Sequence, residues 1–476
     1  MSEFPIFRRQ FLRQCAGCAA AAVCGAAARI PGNAPACSKS ELWPTAKARV
    51  RVVFSQPEPG REGWPYVNYD YATRQRRIME RFRQSIPEID FVSSTVASAR
   101  EGAELFKDTT TDGFVVYLLG IPSGGIARRL IDAGKPVVLV DDLYGGTGEF
   151  LTTYSRAVAE KKPVAGVSSS NFADVAQVVR CYDAIRKLKA STILDVCERV
   201  NRADAPAIPL AFGTRVKTIG AAEINDAYRK TSEADATGWA GRWLKEAEKT
   251  VEPSRDELVR SARMYLAMTR MLKDNRAQAM DVDCLHLFYG KKLPAYPCIG
   301  FRELNDAGLV GACEADLQST ITMLAMTYLT GRPGFISDPV IDTSKNQIIY
   351  AHCVAPTRPY GPSSPVVRFH LRDHSEDRKG AVVQAFLPIG EITTTLKILP
   401  QTREVVFHQA KAVDNLNDDR ACRTKLAAQP ASARALLAGW HRWGWHRVTY
   451  YGDLRAPVEA FAALTGLNFV TEGAPS

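Results

Sequence analysis

From Arg49 onward, short apolar runs alternate with stretches whose apolar residues recur at helical spacing. Residues 50–55, 89–93, 114–119, 137–141 and 164–167 read as buried strands, and 74–86, 100–107, 126–133, 150–160 and 173–188 as helices among them. Such alternation builds a parallel, doubly wound sheet, so a first α/β domain is expected over 49–197. A second α/β domain, 198–356, repeats the scheme, with strands at 216–221, 280–288, 309–313, 335–337 and 348–353 and helices at 239–248, 255–275 and from Glu314 onward. Past 356 the texture changes. Runs at 366–371, 381–386, 391–399 and 404–409 are short, bounded by turns such as Pro388-Ile389-Gly390, and free of helical periodicity. They predict an antiparallel, barrel-like β domain over 357–476, completed by a helical piece at 432–440, a strand at 447–451 and a helix at 458–465.

The stretch 307–338 concentrates the candidate chemistry. Leu317, Ile321, Leu324 and Tyr328 share one helical face, and the pattern stops where Gly331 suits a left-handed cap and Pro333 cannot continue a helix. About 15 helical residues at roughly 1.5 Å each carry the chain some 22 Å away from Glu314. A turn and about six extended residues at roughly 3.3 Å each bring it back. Glu314 and Asp338 should therefore finish together, at strand ends where open α/β sheets place ligands. Two apposed carboxylates must share a proton or a cation, and a hard divalent ion is the usual partner. A plainer reading stays open here: an acid in a first helical turn complements the macrodipole, and Asp before Pro forms turns.

Cys313-Glu314-Ala315-Asp316, the helix end Leu329-Thr330-Gly331, Asp338, Tyr350-Ala351-His352-Cys353 and His446-Arg447-Val448-Thr449-Tyr450-Tyr451-Gly452-Asp453 resemble the metal-site segments of the L-fucose isomerase and L-arabinose isomerase superfamily. The resemblance is closest to the L-fucose isomerase-like proteins. It implies a subunit of two α/β domains and a β domain, assembled as a homo-oligomer, a trimer or hexamer. It implies Glu314, Asp338 and His446 as ligands of a divalent metal, Mn²⁺ with Mg²⁺ or Co²⁺ as alternatives. It also implies aldose–ketose isomerisation of a small-molecule sugar through a metal-stabilised enediolate, with Glu314 and Asp338 as acid and base in either order. His352 is then a candidate for binding a substrate hydroxyl. Trp443 and Trp445, beside His446, could stack on a sugar or pack between domains. His370 and His374 fall on and just after a strand, where residues four apart stand well separated, so a turn or surface role is expected. A sugar-binding protein that has lost turnover, or a sugar epimerase, would show the same residues. The sugar itself stays open, because the first domain shows no match where relatives shape the pocket.

Charge adds little to this picture. The net +10 includes three from Arg8, Arg9, Arg13 and Arg29 less Glu3, leaving seven without a basic block, so nucleic acid is not an implied partner. Arg8-Arg9-Gln10-Phe11-Leu12-Arg13 and the apolar run 15–28 match a twin-arginine signal peptide over 1–36, with a linker over 37–48. That run, about 14 residues, is too short to span a bilayer. The twin-arginine export machinery is thus an expected partner and the location periplasmic or otherwise exported. Seven scattered cysteines from Cys181 to Cys422 show neither zinc-ligand spacing nor a disulfide framework. The turns 120–125 and Tyr144-Gly145-Gly146-Thr147-Gly148 lack a dinucleotide or P-loop layout, so no nucleotide cofactor is indicated.

Overall fold

Strands whose residues are apolar almost throughout can be buried on both faces only in a parallel sheet covered by helices. Gly113–Leu118 and Val137–Asp141, buried at every position, stand centrally in such a sheet. Its order is Ile89–Val96, Ala48–Ser55, Gly113–Leu118, Val137–Asp141, Val164–Ser168, with every pairing parallel. The computed structural model describes residues 39–105, 107–121, 124–199 and 202–473. The expected signal peptide and part of the turn 120–125 lie outside the described residues. Among those described, no helix is long and apolar enough to cross a membrane.

A second parallel sheet runs Val310–Cys313, Ala279–Val282, Thr192–Val196, Arg215–Ile219. Two features depart from the sequence reading. Thr192–Val196 contributes a strand that was not anticipated, and the apolar stretch 280–288 is not one strand. It breaks at Asp283, where a helix Cys284–Tyr289 begins. A continuous apolar run cannot by itself separate a strand from the helix that follows it.

Lys249–Thr250, Phe369–Arg372 and Val382–Ala385 form a separate small sheet, so the runs expected at 366–371 and 381–386 stand outside the barrel, and Asn468–Thr471 adds parallel to Glu404–Asn415; six further strands close on themselves. Ile392–Leu399, Arg447–Tyr451, Phe335–Asp342, Gln347–His352, Thr424–Pro430 and Glu404–Asn415 pair antiparallel in that order, and the last returns to the first. Closure gives every strand of the ring two neighbours, although Phe335–Asp342 beyond Ser337 is paired on one side, and an irregularity between Ala412 and Asp414 lets one long strand serve both neighbours. The architecture is therefore two parallel α/β sheets and an antiparallel barrel, as the pattern predicts. The barrel, however, also recruits 335–352, so Asp338 and His352 stand on it and not on a parallel sheet. The helix Leu317–Thr330 is buried along most of its length and is tied to the barrel where the Ile398 amide donates to Thr322 Oγ1 at 2.8 Å.

Candidate metal centre

Cys313 ends an edge strand of the second parallel sheet, and the chain then turns sharply: Glu314 and Ala315 both adopt left-handed backbone, with φ of 69° and 54°. The helix begins only at Leu317, capped by Asp316, so Glu314 is not in its first turn as expected. Left-handed backbone at a non-glycine residue costs roughly 1–2 kcal/mol. Two arginines hold this turn: Arg199 donates to the Glu314 carbonyl at 2.9 Å, and Arg202 donates to the Ala315 carbonyl. Arg202 is itself anchored on Asp195 and Asp204, each at 2.8 Å. The turn thereby aims the Glu314 carboxylate at the barrel.

Asp338 meets it from the other side. It lies in the middle of Phe335–Asp342, not at a strand end, paired with Ala351. Pro339 is tolerated because, beyond Ser337, this strand pairs on one side only, and proline is admissible on such an edge. Ser337 pairs with Arg447, which places Asp338 beside His446 at the mouth of the adjacent strand.

Each carboxylate divides its oxygens between the two imidazoles. Glu314 Oε2 and Asp338 Oδ1 stand 3.2 and 2.9 Å from His446 Nε2. Glu314 Oε1 and Asp338 Oδ2 stand 3.6 and 3.7 Å from His352 Nε2. The ligand atoms of Glu314, Asp338 and His446 all lie within 4.8 Å of one another. Asp338 Oδ1, His352 Nε2 and His446 Nε2 are buried without a hydrogen bond among the described residues. Buried polar atoms are almost always paired, so a convergent set without partners fits a cation and a polar ligand.

Hydrogen bonds assign the imidazoles different work. His446 Nδ1 lies 2.9 Å from Asp316 Oδ2; an ionised carboxylate only accepts, so Nδ1 carries the hydrogen and Nε2 presents a lone pair to the site. His352 is the reverse. The Cys353 amide donates to its Nδ1 at 2.8 Å, so in the neutral ring Nε2 bears the hydrogen. His446 is built to ligate and His352 to donate.

Without a cation, the acids act on the histidines instead. Burial would lower the His446 pKa, but Asp316, Asp338 and Glu314 outweigh it and push it up to about 12. His352, opposed in the same way by burial, is raised to about 9 by Asp338 and Glu314. Burial would raise Glu314, yet His352 and His446 hold it well below the usual carboxylate range. Burial would raise Asp316 too, but Lys397 and His446 keep it low. The pocket is thus poised for positive charge.

Glu314, Asp338, His446 and His352 converge as the sequence anticipates, whereas the two tryptophans part company. Trp443 is buried with Leu399 and Val406, and its indole N–H donates to Glu404 at 3.3 Å. Trp445 is exposed and stacked on His446, ring centres 5.6 Å apart. His370 and His374 stand near Glu248 and Glu376 instead. Sequence reasoning passed over Asp316, Lys397, Arg199 and Arg202. Asp316 carried a signal, since Asp followed three residues later by a polar residue before an apolar run marks a helix cap, but nothing local announces that the same side chain orients His446.

Two parallel α/β sheets joined to a closed barrel bring carboxylates from both to an imidazole, a set of residues that could hold a metal ion. No family model matches the chain. It is similar to the sulfoquinovose isomerase of Clostridium sp. (strain MSTE9), 28% identical over 284 residues covering 54% of this chain and 58% of that protein. It is similar also to the sulfoquinovose isomerases of Alkalicoccus urumqiensis, 23% identical over 227 residues (45% and 49% of the two chains), and Priestia aryabhattai, 23% over 223 residues (45% and 48%). The matches span about half the length of these curated relatives.

Proposed function

We propose that the chain is a divalent-metal-dependent aldose–ketose isomerase, with Mn²⁺ as the preferred ion. What carries the reading is the two-sided presentation of Glu314 and Asp338, one oxygen of each toward His446 and the other toward His352. The first set, two hard oxygens and an imidazole lone pair, suits a hard divalent ion. Such an ion, when bound, supplies Lewis-acid polarisation of the sugar carbonyl. The second set leaves Glu314 Oε1 and Asp338 Oδ2, the latter accepting from Cys422 Sγ at 3.6 Å, to move protons. One of these acids removes the proton from C2 and the proton is returned at C1, while the hydroxyl proton of O2 passes to O1. The C1 carbonyl becomes a C2 carbonyl with no net change in atoms or electrons, so no redox cofactor is required. His352 Nε2–H donates to a sugar oxygen and steadies the enediol between these steps.

The names of the relatives make sulfoquinovose the first sugar to try. The paired arginines at positions 8 and 9 and the apolar run behind them support an exported location for the reaction. The test is proton exchange at C2. Metal-loaded protein in D₂O with a panel of aldoses, sulfoquinovose included, is expected to erase the C2–H signal of at least one sugar by NMR, and Glu314→Gln to abolish the effect. A C2 epimer without ketose would redirect the reading to epimerisation. No exchange with any sugar while metal is bound would replace the isomerase with a sugar-binding protein.

A further inference from the structure

Strand pairing brings together two thiols that the sequence keeps 29 residues apart. Cys313 ends Val310–Cys313 and is paired with Val282 on the neighbouring parallel strand; Cys284, two residues past Val282, opens the helix Cys284–Tyr289. Their sulfurs stand 3.1 Å apart and both side chains are buried. The pair lies at the carboxyl edge of the second parallel sheet, from which Glu314 leaves for the metal centre. We propose that Cys284 and Cys313 form an oxidisable dithiol, and that the disulfide made from it by a hydroperoxide loosens the grip of Glu314 on its ion. Disulfide formation stands on its own geometry; its effect on the ion rests on the metal-site reading above.

Two ties keep the sulfurs opposed. Arg199 spans the residues next to both, with Nε 2.8 Å from Asp283 Oδ2 and Nη2 donating to the Glu314 carbonyl at 2.9 Å. The Ala315 amide donates to the Val282 carbonyl at 3.3 Å. A disulfide needs about 2.05 Å, so the sulfurs must close by roughly 1 Å. Cys284 is built into a helix and Cys313 ends a paired strand, whereas Glu314 and Ala315 form an irregular left-handed turn. The turn is therefore where the movement is taken up, and the carboxylate it aims is displaced with it.

Buried thiols are ordinarily inert for want of access. Cys313 is reached through the metal centre, because its Sγ, a Glu314 carboxylate oxygen and a ring nitrogen of His352 all lie within 4.8 Å of one another. A centre that admits a sugar admits hydrogen peroxide, a molecule little larger than water. The Cys313 sulfur attacks one peroxide oxygen; the O–O bond breaks, an S–O bond forms, and the departing hydroxide takes the thiol proton as water. The Cys284 sulfur then displaces hydroxide from the sulfenic acid, forming the S–S bond, and its proton completes a second water. Two thiols are oxidised by two electrons in all and the peroxide is reduced to two waters. Cys353 and Cys422 also hydrogen-bond to each other, so the experiment has to tell the two pairs apart.

Metal-free full chain is treated with hydrogen peroxide, freed of it, alkylated without reduction, digested and mapped by mass spectrometry. A cross-link between the peptides carrying Cys284 and Cys313 is expected, and dithiothreitol should reverse it. Titration of the oxidised protein with Mn²⁺ should show an affinity about tenfold or more below that of the reduced protein, the range for changes behind a metal ligand. Cys284→Ala cannot cross-link and should keep its affinity through the same treatment, which separates the disulfide from oxidation elsewhere; a thermal melt checks its folding, and the mapping of wild type needs no variant. Recovery of both cysteines alkylated, or joined only to Cys353 or Cys422, overturns the dithiol and leaves the isomerase reading intact. Cross-linked protein of unchanged affinity, or Cys284→Ala that loses affinity to the same degree, overturns the coupling to Glu314. Absence of C2 exchange, conversely, removes the isomerase while the cross-link remains.

Discussion

Asp316 shows how much one side chain can hold in place. It caps a helix by accepting from the Ser319 amide at 2.9 Å, receives Lys397 at 3.0 Å, and fixes the tautomer of His446. Asp316→Asn keeps a capping oxygen but loses the charge that orients the imidazole. Metal affinity is expected to fall about 10–100-fold with little change in melting, the range for partners standing behind a metal ligand. Metal titration alongside a thermal melt checks both halves; unchanged affinity would remove Asp316 from the site. The sequence made the converging residues legible because Glu314, Asp338, His352 and His446 lie in short, recognisable segments. It hid Asp316, Lys397 and the two arginines because their work is done across the fold, on atoms far away in the chain.

Elements were legible where periodicity and breakers agreed and obscured where they did not. The helix ending at Gly331 is the clear case: φ is 70°, and a Cβ there would meet nothing within 4 Å. Gly331→Ala should therefore cost about 1 kcal/mol through backbone conformation alone, read from a denaturant melt. A much larger loss would point to a clash that the surroundings do not contain. The start of the same helix is harder to read, because Glu314 and Ala315 look helical by composition, whereas the folded chain holds them in a left-handed turn through their arginine-bound carbonyls. The sequence places Asp338 at a strand end for a similar reason: Pro339 reads as a terminator, whereas the pairing leaves one side of the strand free there. The alternation into two parallel sheets and a barrel came through, since burial on two faces or one leaves different hydrophobic patterns.

For the whole molecule, the buried histidines set the response to pH. In the metal-free protein His352 has a pKa raised from 6.5 to about 9. The folded state therefore holds the proton more tightly than the unfolded chain. The stabilisation is fully present below about 6.5 and is lost as pH rises through about 9. The melting temperature of metal-free protein should fall across that window, while His446, raised to about 12, keeps its own contribution throughout. Saturating divalent metal should remove the dependence, because a cation replaces the protons between the acids; a metal-free protein with a flat melting profile would contradict the assignment. The same displacement makes metal uptake release protons near neutrality.

Asp338 sits on one strand of a closed ring and His446 immediately before the neighbouring strand, while Glu314 arrives from a separate sheet. A chain caught midway through folding, with the ring sealed but the sheet undocked, offers an ion two anchors out of three. Tight occupancy consequently certifies finished assembly: nascent or partly opened molecules should be counted among the empty ones, however complete their secondary structure.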